Sequence, residues 1–308
     1  MNDIVKIDKL KIRFKDLTAV NNITLNIKKG EMFGFIGPDG AGKTTIIRTL
    51  CGIVKEFNGK VEMFDFNLRY NNEKIKKNIG YLSQNFSLYR DLTVDENIEF
   101  FAEIYEIKDF KKRRKELLQF TKMGDFRNRK AGNLSGGMKK KLALACTLIH
   151  RPKIIFLDEP TNGVDPVSRR EFWEILSQLI RERVTIVMST PYIDEAERCS
   201  RVALLNQGKL LSLDKPENLK KSLDKFIFEI ILNDVRNGYN LLKNLNGIDS
   251  VQSYGDRLHV FLFEKDKKMI NKINKILKKN NISIKNQEYI SPALEDVFID
   301  YLKKYKEE

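Results

Sequence analysis

The stretch Gly37-Pro38-Asp39-Gly40-Ala41-Gly42-Lys43-Thr44, followed by Thr45, has the pattern G-x-x-x-x-G-K-T/S. These residue types suit the holding of a polyphosphate. Glycines let successive backbone N–H groups converge on an anion with no side chain in the way. An apolar run at 32–36 leads into the stretch and a helical pattern at 43–50 leaves it. The positive end of a helix dipole therefore points at the same anion. In that setting Lys43 reaches the β- and γ-phosphates of a nucleotide, and the Thr44 hydroxyl is a ligand for Mg²⁺.

A second constellation completes the chemistry. Ile154-Ile155-Phe156-Leu157 is a continuous apolar run of strand length that ends on Asp158 and Glu159. Adjacent carboxylates repel each other, so a buried strand ending this way calls for a cation nearby. Asp158 can hold Mg²⁺, directly or through its water shell. Glu159 can polarise an attacking water.

The elements that must position these groups are legible as periodicities. Residues 4–7, 11–14 and 23–27 alternate apolar and polar side chains, as half-buried strands do, and 28–30 reads as a turn. Further strands are predicted at 61–64, 79–82, 184–188 and 202–205. From 94 to 123 the pattern is helical, with Val94, Ile98, Phe101 and Tyr105 near one face and charged residues crowding 108–116. Helices are predicted after Gly136-Gly137, at 166–181 and at 192–198. Strands alternating with helices imply a largely parallel sheet with helices on both faces.

The pattern changes near Asp214-Lys215-Pro216. The remaining residues read as strand 226–232, helix 239–245, strands 248–254 and 258–263, helix 267–279 and strand 282–289. That order, β-α-β-β-α-β, is the ferredoxin-like plan. Gly255-Asp256 marks its central hairpin. A last helix, 292–304, carries Leu294, Val297, Phe298 and Tyr301 on one face. The expected domains are 1–215 and 225–308, joined by a linker at 216–224.

Composition excludes several classes. The chain has 308 residues, 42% hydrophobic and 32% charged, which is too apolar for wholesale disorder. Mean hydropathy is −0.41, and no apolar run approaches the roughly 20 residues of a membrane span. The opening, Met-Asn-Asp-Ile-Val-Lys-Ile-Asp-Lys-Leu, lacks the apolar core of a secretion signal. Cys51, Cys146 and Cys199 are odd in number and far apart, against a disulfide framework or zinc site and in favour of a reducing compartment. The formal charge of +14 suits an anionic partner such as nucleic acid, ribosome or a membrane surface.

Leu134-Ser135-Gly136-Gly137-Met138-Lys139-Lys140 narrows the class. It resembles the LSGGQ signature of ABC ATPases, lies before the acidic strand and opens a helix. The resemblance implies that Ser135, Gly136 and Gly137 form a second phosphate-binding edge, one that completes the nucleotide site of an opposite subunit. Gln84, in Tyr81-Leu82-Ser83-Gln84, is similar to the family's glutamine that contacts Mg²⁺ and the attacking water. Asn162-Gly163-Val164-Asp165 resembles the loop whose Asp faces the other subunit, and Phe14 lies where the family stacks an aromatic on adenine.

The glycine loop and Tyr192-Ile193-Asp194-Glu195-Ala196-Glu197 look like those of ABC-2-type exporter ATPases, the drug and polysaccharide branch. Ser291-Pro292-Ala293-Leu294-Glu295-Asp296-Val297-Phe298 is similar to the ending of the accessory domain appended to that branch. The resemblance to the ATPase itself covers about residues 1–215. It implies an α/β P-loop NTPase domain with a β-rich edge, a parallel core sheet and a helical subdomain, plus a small α+β ferredoxin-like domain. Two positions depart from the family: Asp39 replaces a usual Asn, and Pro191 in Ser189-Thr190-Pro191 replaces the histidine that touches the γ-phosphate. The only histidines, His150 and His259, lie in other motifs and read as structural.

By resemblance the chain is the ATP-hydrolysing subunit of an exporter. It uses ATP and Mg²⁺, pairs with a copy or a relative, and docks through 84–122 onto an ABC-2-type permease at the inner face of the cell membrane. Nucleic acid is not an expected partner. A soluble ABC ATPase acting on ribosome or nucleic acid is the alternative. A regulatory nucleotide-binding module with little turnover is a third reading, motivated by Pro191.

Overall fold

Alternating side chains build the amino-terminal edge of the fold. In the computed structural model, which describes residues 2–85 and 87–307, β1 (Asp3–Phe14) pairs antiparallel with β2 (Leu17–Lys28). Met1, Phe86 and Glu308, which fall within the amino-terminal stretch, the docking region 84–122 and the domain 225–308, lie outside the described residues. The stretches 4–7 and 11–14, predicted as separate strands, are one strand. Lys9 turns to φ 50° and the register shifts between Ile7 and Leu10, a bulge that bends the strand without ending it.

β3 (Met32–Ile36) is buried along its whole length and runs through the glycine loop into α1 (Lys43–Leu50). β4 (Asn58–Met63) and β5 (Phe66–Asn67) complete a four-stranded antiparallel sheet, ordered β2-β1-β4-β5. α2 (Asn72–Lys76) and β6 (Ile79–Leu82) come next. The helical region resolves into two helices, α3 (Val94–Ile104) and α4 (Phe110–Phe120). α3 opens on a capping box in which Thr93 and Glu96 satisfy each other's backbone N–H groups.

α5 (Gly136–Thr147), β7 (Ile154–Asp158), α6 (Pro166–Arg181), β8 (Thr185–Thr190), α7 (Ile193–Ala196) and β9 (Arg201–Asn206) continue the alternation. β10 (Lys209–Asp214) has no counterpart among the predicted strands. It returns antiparallel to β9 through Gln207 and Gly208, whose φ values of 47° and 75° suit a tight hairpin turn. The second sheet has the order β10-β9-β3-β8-β7-β6, with all pairs parallel except β10 on β9. β3, β7 and β8 are fully buried, as strands covered on both faces must be. Phe33, Phe35, Ile46, Ile47 and Leu50 pack with Val5, Ile12 and Ile23 of the edge sheet in one core.

Residues 1–216 form one compact unit and 217–308 a second. Where a linker is expected, 216–221 folds as a short helix, α8 (Pro216–Lys221). The second unit comprises β11 (Phe226–Leu232), α9 (Val235–Leu242), β12 (Ser250–Tyr254), β13 (Arg257–Leu262), α10 (Lys267–Lys279), β14 (Ile284–Ile290) and α11 (Leu294–Glu307). Its antiparallel sheet has the order β12-β13-β11-β14, the split arrangement of the ferredoxin-like plan. α9 starts four residues earlier than the periodicity suggests, because the Asp234 carboxylate caps it by accepting from the Asn237 N–H.

Phe228, Ile230, Leu258, Val260, Leu242, Ile273 and Leu277 make the core of this unit. Glu229 and His259 alternate to the other face of the strands, where α11 brings Asp296. His259 Nδ1 lies 2.8 Å from Asp296 Oδ1, and Nε2 lies 3.3 Å from Glu229 Oε2. Tyr254 Oη donates to Asp296 Oδ1 at 3.3 Å, the Ala293 N–H donates to Asp296 Oδ2 at 2.9 Å, and Arg257 pairs with Glu229 at 3.1 Å. Burial opposes charge on His259, but Asp296 and Glu229 outweigh it and raise its pKa above the ordinary histidine value. A folded pKa raised this way stabilises below the unfolded value, and the stabilisation is lost as pH rises through the folded one. The calorimetric transition of the second unit should therefore weaken as pH is raised from below to well above the ordinary histidine value. In His259→Gln that dependence should flatten, and an unchanged pH slope in the variant would refute this account.

Candidate functional site

Parallel strands leave their carboxyl ends free for ligands. Here the ends of β3, β8 and β7 lie side by side, with Ile36 paired to Thr190 and Asp158 to Ser189. The glycine loop leaves the first of these ends and the two carboxylates leave the third.

Two glycines of the loop have no substitute. Gly42, the N-cap of α1, holds φ 95°, and a Cβ there would lie 2.5 Å from Ala19 O. A Cβ on Gly37 would lie 2.2 Å from Leu205 O. Lys43 bends back over the loop, its Nζ donating to Gly37 O at 2.7 Å and Pro38 O at 2.9 Å. Burial lowers its pKa, opposed by the negative charges of Glu159, Asp39 and Asp158.

Asp158 is completely buried. Thr44 Oγ1 donates to its Oδ1 at 2.9 Å and Ser189 Oγ donates to the same oxygen at 2.6 Å. Oδ2 is buried with no hydrogen-bond partner among the described residues. A buried carboxylate oxygen without a partner is costly, and a divalent cation beside Thr44 would satisfy it. No three His, Cys, Asp or Glu side chains among the described residues converge to hold an ion by themselves. A hydroxyl plus one carboxylate is instead the donor set of an ion that also takes phosphate oxygens.

Glu159 turns away from the strand at φ 46°, a conformation uncommon outside glycine, with its N–H on the Ser189 carbonyl and hydroxyl oxygens at 3.2 and 3.1 Å. Its Oε2 accepts from Gln84 Nε2 at 2.9 Å and from Asn162 Nδ2 at 3.2 Å. Lys140 of α5 donates to the Gln84 carbonyl at 2.8 Å. Phe14, Asp39, Gly40, Ala41, Gly42, Lys43, Thr44, Thr45, Gln84 and Glu159 line one cavity of about 920 Å³, with Gly37, Pro38 and Asp158 immediately behind it. Phe14 is half exposed at 48%, and Asp39 is exposed.

Other expected residues lie elsewhere. Ser135 caps α5, its Oγ accepting from the Met138 N–H at 3.3 Å. Gly137 packs so tightly that a Cβ would lie 2.2 Å from Ser168. Gly136 borders a different cavity, of about 500 Å³. None of the three lines the cavity of its own chain's glycine loop. Asp165 caps α6, accepting from the Val167 and Ser168 N–H groups. His150 is bound to Ile79 O and stacked on Tyr105, away from the site. All three cysteines are free and buried.

Pro191 faces the cavity beside Tyr192, with Asn162 and Gln207 on the walls. Sequence reasoning missed Asn162, Tyr192 and Gln207 as wall residues, and Ser189 as a donor to Asp158. Ser189 carried one usable signal, its place in the last two residues of a buried strand, two before the proline. Its partner is set by sheet register, which the sequence does not display.

A site of this kind belongs to the P-loop nucleotide-binding ATPases. The sequence profile of the ABC transporter family matches residues 20–162. The probable multidrug ABC transporter ATP-binding protein YbhF of Escherichia coli (strain K12) is 42% identical over 228 residues, 72% of this chain. The match spans 39% of the length of YbhF. The bacitracin transport ATP-binding protein BcrA of Bacillus licheniformis is 31% identical over 304 residues, 97% of each chain. Among solved structures, a dimeric ATP-binding cassette in a post-hydrolysis state with ADP and Pi matches 68% of this chain and 98% of its own, at 28% identity and a TM-score of 0.62. The chain belongs to the ABC transporter family, as one of its ATP-binding proteins.

Gly37→Ala should keep the lysine and the hydroxyls but push the loop off Leu205. We expect ATP affinity, read by isothermal titration, to fall by at least about tenfold, or 1.4 kcal/mol. Wild-type affinity in this variant would mean that the loop tolerates the displacement.

Proposed function

We propose that the chain is the ATP-hydrolysing subunit of an ABC-2-type exporter, one of a pair working on the cytoplasmic side of a membrane permease. One observation carries this reading. The cavity gathers the glycine loop, the Thr44–Asp158 pair and the Glu159–Gln84 pair, while Ser135 and Gly136 present their edge elsewhere. The site is then half a site, and a second subunit supplies the missing wall. The dimeric state of the solved cassette that the chain resembles supports this.

In this reading the loop N–H groups and Lys43 hold the phosphates of ATP, and Phe14 at the rim stacks on adenine. Thr44 and Asp158, with the Gln84 amide, would hold Mg²⁺, which neutralises charge on the β- and γ-phosphates when bound. Glu159 takes the proton of a water whose oxygen bonds to the γ-phosphorus as the bond to ADP breaks. Gln84 and Asn162 keep the carboxylate aimed. The adjoining helical region suits docking: Ile104 and Tyr105 are exposed on a groove of about 750 Å³ that Phe101 and Ile107 also line. Among the described residues no helix is long and apolar enough to cross a membrane, so the permease would be another chain. The multidrug-transporter and bacitracin-transport roles in the names of YbhF and BcrA point the same way.

Glu159→Gln should bind ATP as the wild type does and lose about 10²–10⁴ in turnover, with a stable dimer in MgATP by size-exclusion chromatography. Wild-type turnover in that variant would remove Glu159 from the mechanism.

Pro191 cannot donate a hydrogen bond to a phosphate, and one lost donor of this kind slows hydrolysis about 10²–10³-fold. We expect the purified chain to bind MgATP normally and hydrolyse it slowly, and Pro191→His to raise the rate. A fully active wild type together with a less active Pro191→His would show a site rebuilt without that donor.

The charge of +14 favours the second reading, an ATPase acting on ribosome or nucleic acid. RNA should bind weakly, with steep salt dependence and no effect on turnover. Strong stimulation by RNA or ribosomes at physiological salt would decide for that alternative.

A further inference from the structure

Glu195 of α7 is 1% exposed, yet it carries a carboxylate. Burying such a group is expensive unless donors surround it, and here the donors come from three other parts of the chain. The Thr161 hydroxyl and Arg169 Nε, the latter at 3.0 Å, donate to its Oε1, and the Thr190 hydroxyl donates to its Oε2 at 2.6 Å. Arg169 is fixed in turn by Asp194 at 2.8 Å.

The identity of these donors is informative. Thr161 stands two residues after Glu159 and next to Asn162. Thr190 stands immediately before Pro191, and its Oγ1 accepts the backbone N–H of Tyr192 at 3.0 Å. Glu159, Asn162, Pro191 and Tyr192 all line the nucleotide cavity. One buried carboxylate therefore ties together the two loops that carry them. A second tie joins the same loops at the cavity surface, where Tyr192 Oη donates to Asn162 Oδ1 at 3.5 Å and Asn162 Nδ2 reaches Glu159 Oε2 at 3.2 Å.

We infer that Glu195 is a positioning residue for ATP hydrolysis. Through Thr161 and Thr190 it sets the separation of the loop bearing Glu159 from the turn bearing Pro191. Glu195 does not line the cavity, so it acts on the catalytic carboxylate through these hydroxyls and not on the nucleotide. A fully donated buried network holds one geometry where apolar packing would allow several. Misplacing a reacting group by about 1 Å can cost about 10²-fold in rate. The inference rests on the hydrolytic reading of the site.

Thr161→Val and Thr190→Val each keep the side-chain shape and remove one donor. Glu195→Gln keeps the shape and removes the charge. In the full chain, single-turnover ATP hydrolysis should slow about tenfold in each Thr→Val variant and about 10²-fold in Glu195→Gln. The Kd for ATP, measured separately, should stay within about twofold, because the loop that binds phosphate is not touched. Thr190→Ser, which restores the hydroxyl, should recover most of the rate that Thr190→Val loses. A structural role alone would instead lower binding and rate together, in step with the melting temperature, and that result overturns the inference. So does a wild-type rate in all three variants beside a hydrolysing wild type. A wild type that binds ATP without ever hydrolysing it overturns the hydrolytic reading itself, and this inference with it.

Discussion

The Asp158 carboxylate lies at the end of a strand buried on every residue, and one of its oxygens has no partner among the described residues. A charged group can rest there only if its surroundings are committed to it. Thr44 comes from the helix that the glycine loop opens, and Ser189 comes from the neighbouring strand. Both donors converge on a single oxygen and leave the other without a hydrogen-bond partner among the described residues, where a cation would satisfy it. That demand orders much of the first unit. The glycine loop must end where Thr44 can reach the strand, β8 must sit between β3 and β7, and the residue after Asp158 must turn sharply to keep its own charge apart.

That sharp turn is the left-handed backbone of Glu159. It separates two adjacent carboxylates, one held by Thr44 and Ser189 and one turned toward the cavity. Gln84 then joins Glu159 to the helical region, and Lys140 joins the signature helix to the Gln84 backbone. Motion of the helical region would act on the Glu159 carboxylate through two hydrogen bonds. Under the proposed function, that connection would let a partner on the helical region and a nucleotide in the cavity bias the same small group of contacts.

The second unit obeys another logic. Its apolar core lies on the α9 and α10 side of the sheet. On the opposite side α11 is held by His259–Asp296 and by Lys225, which bridges Asp249 and Asp300 at 2.7 and 2.5 Å. Asp296 explains part of the ending that resembles the exporter branch, because it accepts from its own helix start and from the sheet at once. Attachment by charge is directional where apolar packing is not, and it fixes α11 in one register.

Local pattern alone determined a good deal. The glycine loop, the helix at 43–50, the buried run ending on Asp158 and Glu159, and the order of elements in the second unit all come from spacing and periodicity, which depend on neighbours in sequence. The strand β10, the join of 4–7 to 11–14, the earlier start of α9 and the helix at 216–221 depend on turns and caps whose backbone angles composition only hints at. The partners of Asp158 and Glu195 were out of reach for a different reason. They come from strands and loops far apart in the chain, and register and burial alone decide which hydroxyl meets which carboxylate. Sequence could name the candidate groups for chemistry, because chemistry needs particular residue types. Only the tertiary structure could say what holds them in place, because a hydroxyl or a carboxylate becomes a positioning group solely through what it is buried against.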